Sequence, residues 1–403
     1  MSVSYCLGLR GRDHIVLEQA AQAGEAWRNH RWDSFTFVTP NWTIRLPGAA
    51  YDGDAPDGFM ARDHIVAYFE RYVTRYRLPV RYGVRVLAIE QKDEGYVVRT
   101  EGDVFATSNV VIATGTFQHP KIPSFSAGLP PEIQQLHSGE YRNPSAVTPG
   151  AVLVVGSGQS GSQIAEELYR SGRHVYLSVG SAGRVPRRYR GKDIVWWLYQ
   201  VGFFDRVADS LPSPKARFAG NPQASGKDGG HTINLHQFAR DGVTLLGHLQ
   251  GAPGGKIVLA PDLKETLVKV DKFEADLLEM IDRHIEHHGM DVSGEDLPQL
   301  RDGYEAQDIR ELNLKDAGIT SVIWAMGYTF DFGLVKLPVL DEDGYPRQKR
   351  GVTEFPGLYF VGLHWLHTFK SGILLGVGED AEFVASDIAA RERRRPAEAG
   401  SRP

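Results

Sequence analysis

Residues 152–161 read Val-Leu-Val-Val-Gly-Ser-Gly-Gln-Ser-Gly, four branched apolar side chains running straight into glycines at the spacing G-x-G-x-x-G. An amphipathic stretch, 162–171, follows at once. This order of strand, glycine turn and helix restricts the local fold more than any other part of the chain. The first two glycines let a backbone approach a pyrophosphate, and the third lets the helix pack close to the strand. The diphosphate charge would rest on the amides and positive end of that helix. Gly156, Ser157, Gly158, Gln159, Ser160 and Gly161 are therefore the expected dinucleotide-binding residues; a purely structural glycine turn is the alternative. The motif begins only near residue 150, so something else occupies the first third.

The opening residues can be laid on those after Gly161. Val3 falls on Ile164, Leu7 on Leu168, Gly11 on Gly172 and Arg12 on Arg173, and a second strand follows in each case, at 14–17 and 174–179. The shared spacing sets the third glycine of the first unit just before Met1. The chain is thus expected to start inside a second dinucleotide fold whose first strand and glycine turn are cut away. A chance likeness of two amphipathic helices is the alternative.

The two units differ at the end of the second strand. Glu18, with Gln19 beside it, is an acid placed to accept both hydrogen bonds of an adenosine ribose. The other unit has Val179-Gly-Ser181 there, followed by Arg184, Arg187 and Arg188. An acid repels a 2′-phosphate, whereas guanidinium groups bind one bidentately. The first site reads as FAD-like and the second as preferring NADPH; an ordinary solvated basic loop is the other reading of the arginines.

At 403 residues the chain is long enough for two domains with real cores. A net charge of −5 gives no general attraction to nucleic acid or acidic membranes. The single cysteine, Cys6, excludes an internal disulfide or dithiol pair. With no run of 18 apolar residues and no signal segment, the protein reads as cytoplasmic without stable membrane association.

Apolar residues at Ile65, Tyr68, Phe69, Tyr72 and Val73 predict a helix over 59–76, and 84–90 and 95–100 alternate as strands around the turn at Asp93. Val110-Val-Ile-Ala-Thr114-Gly115 is a buried strand ending in small residues, as expected where backbone approaches a ligand. Residues 120–149 are rich in proline and mark a boundary. Val322-Ile-Trp-Ala-Met-Gly327 and Gly357-Leu-Tyr-Phe-Val-Gly362 repeat the pattern of apolar run and glycine, and 372–390 reads as a last amphipathic helix. The expected fold class is α/β with two Rossmann-like dinucleotide-binding domains, one inserted in the other: FAD domain 1–148, NADPH domain 149–325, FAD domain again 326–390, and a disordered tail 391–403.

Taken together, Thr114-Gly115, Phe117-Gln-His-Pro-Lys-Ile-Pro123, His137-Ser-Gly-Glu-Tyr141 and the glycine turn resemble the flavin-containing monooxygenase superfamily. Gly24-Glu-Ala-Trp-Arg28, Trp32-Asp-Ser-Phe35, Thr39-Pro-Asn41, and the stretch from Gly357 through Lys370-Ser-Gly372 to Gly376-Val-Gly-Glu-Asp380, are similar to bacterial potassium-transport flavoproteins. The resemblance covers nearly the whole chain to residue 390. It implies a single-component enzyme with FAD and NADPH that inserts one oxygen atom of O₂ into a small organic N, S or carbonyl substrate through a peroxyflavin. The chemistry is the flavin's; the protein orients the nicotinamide and keeps water out. A flavin oxidase or reductase releasing hydrogen peroxide is the alternative, as is a nucleotide-binding remnant without FAD if Met1 is the true start. Homodimer formation is left open.

By position, the resemblance puts Glu18 and Gln19 on the FAD ribose, Trp27 and Arg28 along the FAD, and the backbone at Val86 near the adenine. Thr114, Gly115, Gly327, Gly362 and the start of a helix at Gly372 would face the cofactors. The family's Phe, Gly, His motif is loosely met by Phe125, Gly128 and His137. The position of an asparagine that acts on oxygen in many members counts to Val38 here; Asn41, three further on, is the candidate, and a turn after Pro40 explains it equally. His284, His287 and His288 share a helical face but lack a carboxylate, so a solvated face is expected. Residues 194–204 read as a buried helix or a substrate tunnel. His364, Trp365 and His367 border the last strand.

Overall fold

The apolar run at 151–155 becomes the middle strand of a five-stranded parallel sheet. Ala151–Val155 lies between Ile319–Trp324 and Val175–Ser178; Gln134–His137 flanks the former and Thr244–Leu246 the latter. The computed structural model describes the backbone of residues 1–399 and the side chains of residues 1–391. Val152, Leu153 and Val154 are fully enclosed, which is why the sequence there is continuously apolar rather than alternating. Val152 and Val154 face Ile164, Ala165 and Leu168 of the helix Gln159–Arg170. Leu153 and Val155 face Ile257, Leu259 and Trp324 on the other side. Each such enclosed side chain contributes roughly 1.5–3 kcal/mol relative to exposure.

The remaining chain forms a second body. Helix Ser2–Leu9 turns at Gly11, whose φ of +61° ends it, and leads into the strand Val16–Glu18, paired in parallel with Val80–Tyr82. The helix Gln159–Arg170 ends the same way at Gly172, with φ +87°, before Val175–Ser178. The two units laid on each other in the sequence thus share one local structure. A left-handed residue past a helix end favours glycine because no Cβ meets the backbone. Val110–Ile112 pairs in parallel with Leu358–Phe360, in a ladder separate from that of Val16–Glu18. Val3, Cys6 and Leu7 pack with Ala381, Val384, Ala385 and Ile388 of the last helix, tying the beginning of the second body to its end.

The chain crosses between the bodies twice, and the crossings pair: His119–Pro120 runs antiparallel to Tyr328–Thr329. The changeover therefore comes earlier than residue 149, because Gln134–His137 already belongs to the nucleotide sheet. As an edge strand it needs one apolar contact, and Leu136 alone gave no readable pattern. The last helix also differs from expectation. It runs Val377–Ala399, not from Gly372, which lies in the 3₁₀ turn Phe369–Gly372. A Cβ at Gly372 would meet His364 Cδ2 at 2.6 Å, so a close approach rather than a helix start explains that glycine. Residues 391–399, expected to be disordered, continue this helix, in keeping with the helix propensity of Arg, Glu and Ala. The rest of that tail, 400–403, lies outside the described residues.

Candidate functional site

The three glycines of the 156–161 turn do three different things. Gly156 has φ +101°, and a Cβ there would come within 2.6 Å of the Ala325 carbonyl oxygen. Gly161 abuts Gly156 itself: a Cβ would collide with the Gly156 carbonyl oxygen and lie 3.0 Å from Ala325 Cβ. Gly158 has open space where its side chain would be. It also caps the helix without any side-chain hydrogen bond, leaving first-turn amides for an anion. Ser157 is fully buried. Its Oγ accepts from Gly180 N–H at 2.9 Å and its carbonyl accepts from Gln223 Nε2 at 2.5 Å. Gln159 Nε2 donates to Pro222 O, so both hold a strap of residues 222–225 against the turn. Ser160 remains half-exposed.

The arginines after Val175–Ser178 are not arranged as expected. Arg184 is buried, and its guanidinium is paired with Asp271 at 2.8 Å and Glu274 at 2.5 Å. Asp271 also accepts from His236 Nε2 and Tyr304 Oη, so Arg184 closes an internal network. Arg187 is equally buried, paired with Asp193, donating to Val38 O at 2.9 Å and stacked on Phe59 at 4.9 Å. Neither is free to grip a phosphate; a buried guanidinium needs those partners to offset its desolvation. Arg188 is exposed and donates only to the carbonyls of Gly229 and Gly230.

On the other body, Glu18 ends its strand with Oε1 accepting from Ala20 N–H, and Val84 N–H reaches its carbonyl at 2.9 Å, which brings Val86 into the same neighbourhood. Gln19 is exposed. Trp27 packs on Phe35 and Phe37, while Arg28 is paired with Glu70 at 2.6 Å. Thr114-Gly115 and Gly362 lie just beyond the carboxyl ends of the neighbouring parallel strands Val110–Ile112 and Leu358–Phe360, and both glycines have positive φ. That is where open α/β sheets hold ligands. Above them Phe117, largely exposed, stands edge-on to His364 at 5.2 Å and to Tyr328 at 5.6 Å. Burial holds the His364 imidazole below its ordinary pKa, so it is neutral near pH 7.

Asn41 sits in the turn Asn41–Thr43 and is 5% exposed. Its Nδ2 donates to Ala55 O at 2.9 Å, which fixes the amide orientation, and its Oδ1 is buried with no partner. A buried orphan acceptor costs about 1–3 kcal/mol, a strain native folds keep where something else supplies the donor. At the crossing, His137 Nδ1 accepts from Gly139 N–H, so Nε2 carries the proton given to Gly327 O at 2.9 Å. Gly327 is thus part of the crossing. The sequence reading missed the Gln223 strap, which is far from the turn in sequence; Trp365, named there beside the last strand, has a φ of +56°, unusual for a bulky side chain. His284 and His288 stack at 4.1 Å on an exposed helix end, and the described residues hold no cluster suited to a metal.

Residues 2–195 match the family described as pyridine nucleotide-disulphide oxidoreductase. Over 390 residues the chain is 34% identical to an uncharacterized CzcO-like oxidoreductase of Geobacillus kaustophilus, covering 96% of this chain and 94% of that one. The chain belongs to the CzcO-like oxidoreductases. It is also 27% identical over 414 residues to the indole-3-pyruvate monooxygenase YUCCA1 of Oryza sativa, covering 98% and 90%. This CzcO-like oxidoreductase shares its fold with a flavin-containing monooxygenase from Stenotrophomonas maltophilia, at a TM-score of 0.64 and 19% identity over 97% and 94% of the two chains. A bacillithiol disulfide reductase from Bacillus cereus matches at a TM-score of 0.60 and 15% identity over 97% and 95%. The chain is an enzyme of the flavin-dependent oxidoreductase and monooxygenase class, and the fold alone does not choose between oxygen and disulfide chemistry. Cys6 does bear on that choice. It is this chain's one cysteine, buried, with its thiol pushed up to about 12 by burial and by Glu382. A thiol so held is not a nucleophile at neutral pH.

Proposed function

We propose that the protein takes electrons from NADPH at the 156–161 turn, passes them to FAD in the second body, and inserts one oxygen atom of O₂ into a small organic substrate. The observation that carries this reading is the pairing of an open, uncapped glycine turn with Asn41, whose buried Oδ1 lacks a donor. Gly158 and the amides after it would hold the pyrophosphate of the dinucleotide, with Gln159 and Ser160 at its edge. Glu18 would take the FAD ribose, and Thr114, Gly115 and Gly362 would let backbone approach the ring system. Bound FAD supplies the hydride-accepting and oxygen-activating chemistry. Asn41 would present its Oδ1 to a donor on a cofactor or substrate. The test counts NADPH consumed, hydrogen peroxide released and oxygenated product formed, with flavin-loaded enzyme. Product matching NADPH supports oxygen transfer; peroxide matching NADPH in Asn41-intact enzyme with every N, S and carbonyl substrate tried sinks it in favour of an oxidase.

A further inference from the structure

Arg31, just past the helix Glu25–Arg28, is a cation without an acid. Its guanidinium is half-buried on an aromatic pair, 5.2 Å from the Trp27 ring and 5.6 Å from the Phe35 ring. Of the five N–H donors a guanidinium carries, one goes to His30 O at 2.7 Å, and the Tyr328 hydroxyl of the crossing stands beside the others. Close packing holds Tyr328 there, since a Cβ at Gly139 would meet its Oη at 2.5 Å. Among the described residues no carboxylate pairs with Arg31. Asp33, the nearest in sequence, is paired with Arg62 at 2.9 Å and accepts from Asn143 Nδ2 at 2.7 Å. Glu140 accepts from the His137 N–H at 2.7 Å. Arg142, alongside, donates to the carbonyls of Asn29, Arg31, Gly139 and Tyr141 and so adds positive charge to the patch.

Burial pushes the Arg31 guanidinium below its ordinary pKa, with the Tyr328 hydroxyl pulling the other way. A cation taken part-way out of water needs an anion close by, as Arg184 and Arg187 have and Arg31 does not. The place of Arg31 in the fold says which anion. Trp27 lies in the segment that follows Glu18, the acid suited to the FAD ribose. Tyr328 stands edge-on to Phe117, which follows Thr114-Gly115 at the ring end of that site. Arg31 reaches both Trp27 and Tyr328, and so stands between the ribose end and the ring end. In a dinucleotide that interval is the diphosphate, whose oxygens a guanidinium fork matches two at a time.

We propose that Arg31 is the cation that receives the diphosphate of FAD, in the gap between Trp27 and Tyr328. This rests on the placing of FAD in the second body proposed above, and not on oxygen transfer. Fluorescence titration of the full chain with FAD and with riboflavin, which has the ring and no phosphate, tests it on wild type, Arg31→Met and Arg31→Lys. Calorimetric titration of the same proteins with NADP⁺ reports whether the nucleotide body is intact. Arg31→Met is expected to bind FAD at least about tenfold more weakly than wild type, the loss typical of one charged hydrogen-bonding partner. Its riboflavin and NADP⁺ affinities stay as they were, and Arg31→Lys restores part of the FAD affinity. Unchanged FAD affinity in Arg31→Met overturns the proposal. So does an equal loss of riboflavin affinity, or a loss that falls on NADP⁺ alone or on both dinucleotides alike. Wild type that takes up no FAD overturns it together with the flavin site in the second body, whereas each other outcome leaves that site standing. Because turnover is not measured, a protein that proves to be an oxidase leaves the result unaffected.

Discussion

Gly158 and Gly161 are three residues apart in one motif, and the structure gives them opposite vulnerabilities. A methyl at Gly161 would overlap the Gly156 carbonyl oxygen, with the carbonyl carbon at 2.9 Å and Ala325 Cβ at 3.0 Å. All of these are backbone or enclosed atoms, so the helix Gln159–Arg170 must move away from the strand Ala151–Val155. Overpacking of this kind costs typically 1–3 kcal/mol and here belongs at about 3, because no flexible side chain can yield. At Gly158 a methyl meets nothing, and φ −66°, ψ −174° suit alanine. Alanine is the poorer helix cap by roughly 0.5 kcal/mol, and the stiffer unfolded chain returns a similar amount, so net stability is expected within about 0.5 kcal/mol of wild type. The same methyl stands where a pyrophosphate must come close to the amides. Loss of one or two charge-assisted hydrogen bonds, each about 1.5–3 kcal/mol, predicts at least about tenfold weaker binding. Urea unfolding monitored by circular dichroism, with NADP⁺ titration by calorimetry, measures both quantities on both variants. Gly158→Ala binding NADP⁺ as well as wild type, or Gly161→Ala unfolding at the wild-type urea concentration, would refute the division of roles.

Four further outcomes follow from particular contacts. Arg184→Met leaves Asp271 and Glu274 without their shared cation, so unfolding free energy falls by about 3–5 kcal/mol while the ratio of NADPH to NADH affinity stays as it was. Asn41→Ala loses the bond to Ala55, about 1 kcal/mol of stability, and shifts NADPH consumption from oxygenated product to hydrogen peroxide, read in the same counting assay. His231 donates from both ring nitrogens, to Glu166 and to Lys227 O, and the Glu166 hydrogen bond raises its pKa. The stability difference between wild type and His231→Gln is therefore full below the ordinary imidazole value of 6.5 and vanishes as pH climbs through the raised one, which unfolding at a series of pH values checks. Cys6 should stay unlabelled by a thiol reagent at pH 8 in native protein and react once urea unfolds the chain, as counted by mass spectrometry.

Local signals were legible where one segment decides its own structure. The strand Ala151–Val155, the glycine turn, the helix Arg62–Arg75 and the hairpin Val86–Lys92 with Gly95–Thr100 all follow from period, turn residues and glycine spacing over a dozen residues. What failed to show was anything that one segment does to another. Arg184 and Arg187 look like ligand-binding arginines until Asp271 and Glu274, almost ninety residues on, and Asp193 are seen to claim them. Gln134–His137 looked like linker because an edge strand buries so little. Gly372 looked like a helix start, since a glycine ahead of an apolar run reads the same whether it begins a helix or admits a histidine ring.

The lost arginines also change what the second nucleotide site can be. A loop that spends Arg184 and Arg187 on its own interior is rigid: Arg184 fixes it to the helix Leu263–His288, and Arg187 carries it onto Val38 and Phe59 of the other body. The strap at 222–225 is held by the same Arg187, through Ser225 O, and by Ser157 of the glycine turn. One guanidinium therefore touches the nucleotide strap and the segment that leads to Asn41. Removing it disturbs the turn and the Asn41 segment together. Any preference for a 2′-phosphate then calls for a guanidinium not spent on the interior, and of Arg184, Arg187 and Arg188 it is Arg188 that is exposed. That leaves Arg188, of the three, as the cation that can favour NADPH. Arg188→Ala is thus expected to bring the two dinucleotides to nearly equal affinity, with fold and NADH binding retained. If instead NADPH preference persists in Arg188→Ala and disappears in Arg187→Met, the interior arginine opens on binding and the rigidity argued here is wrong.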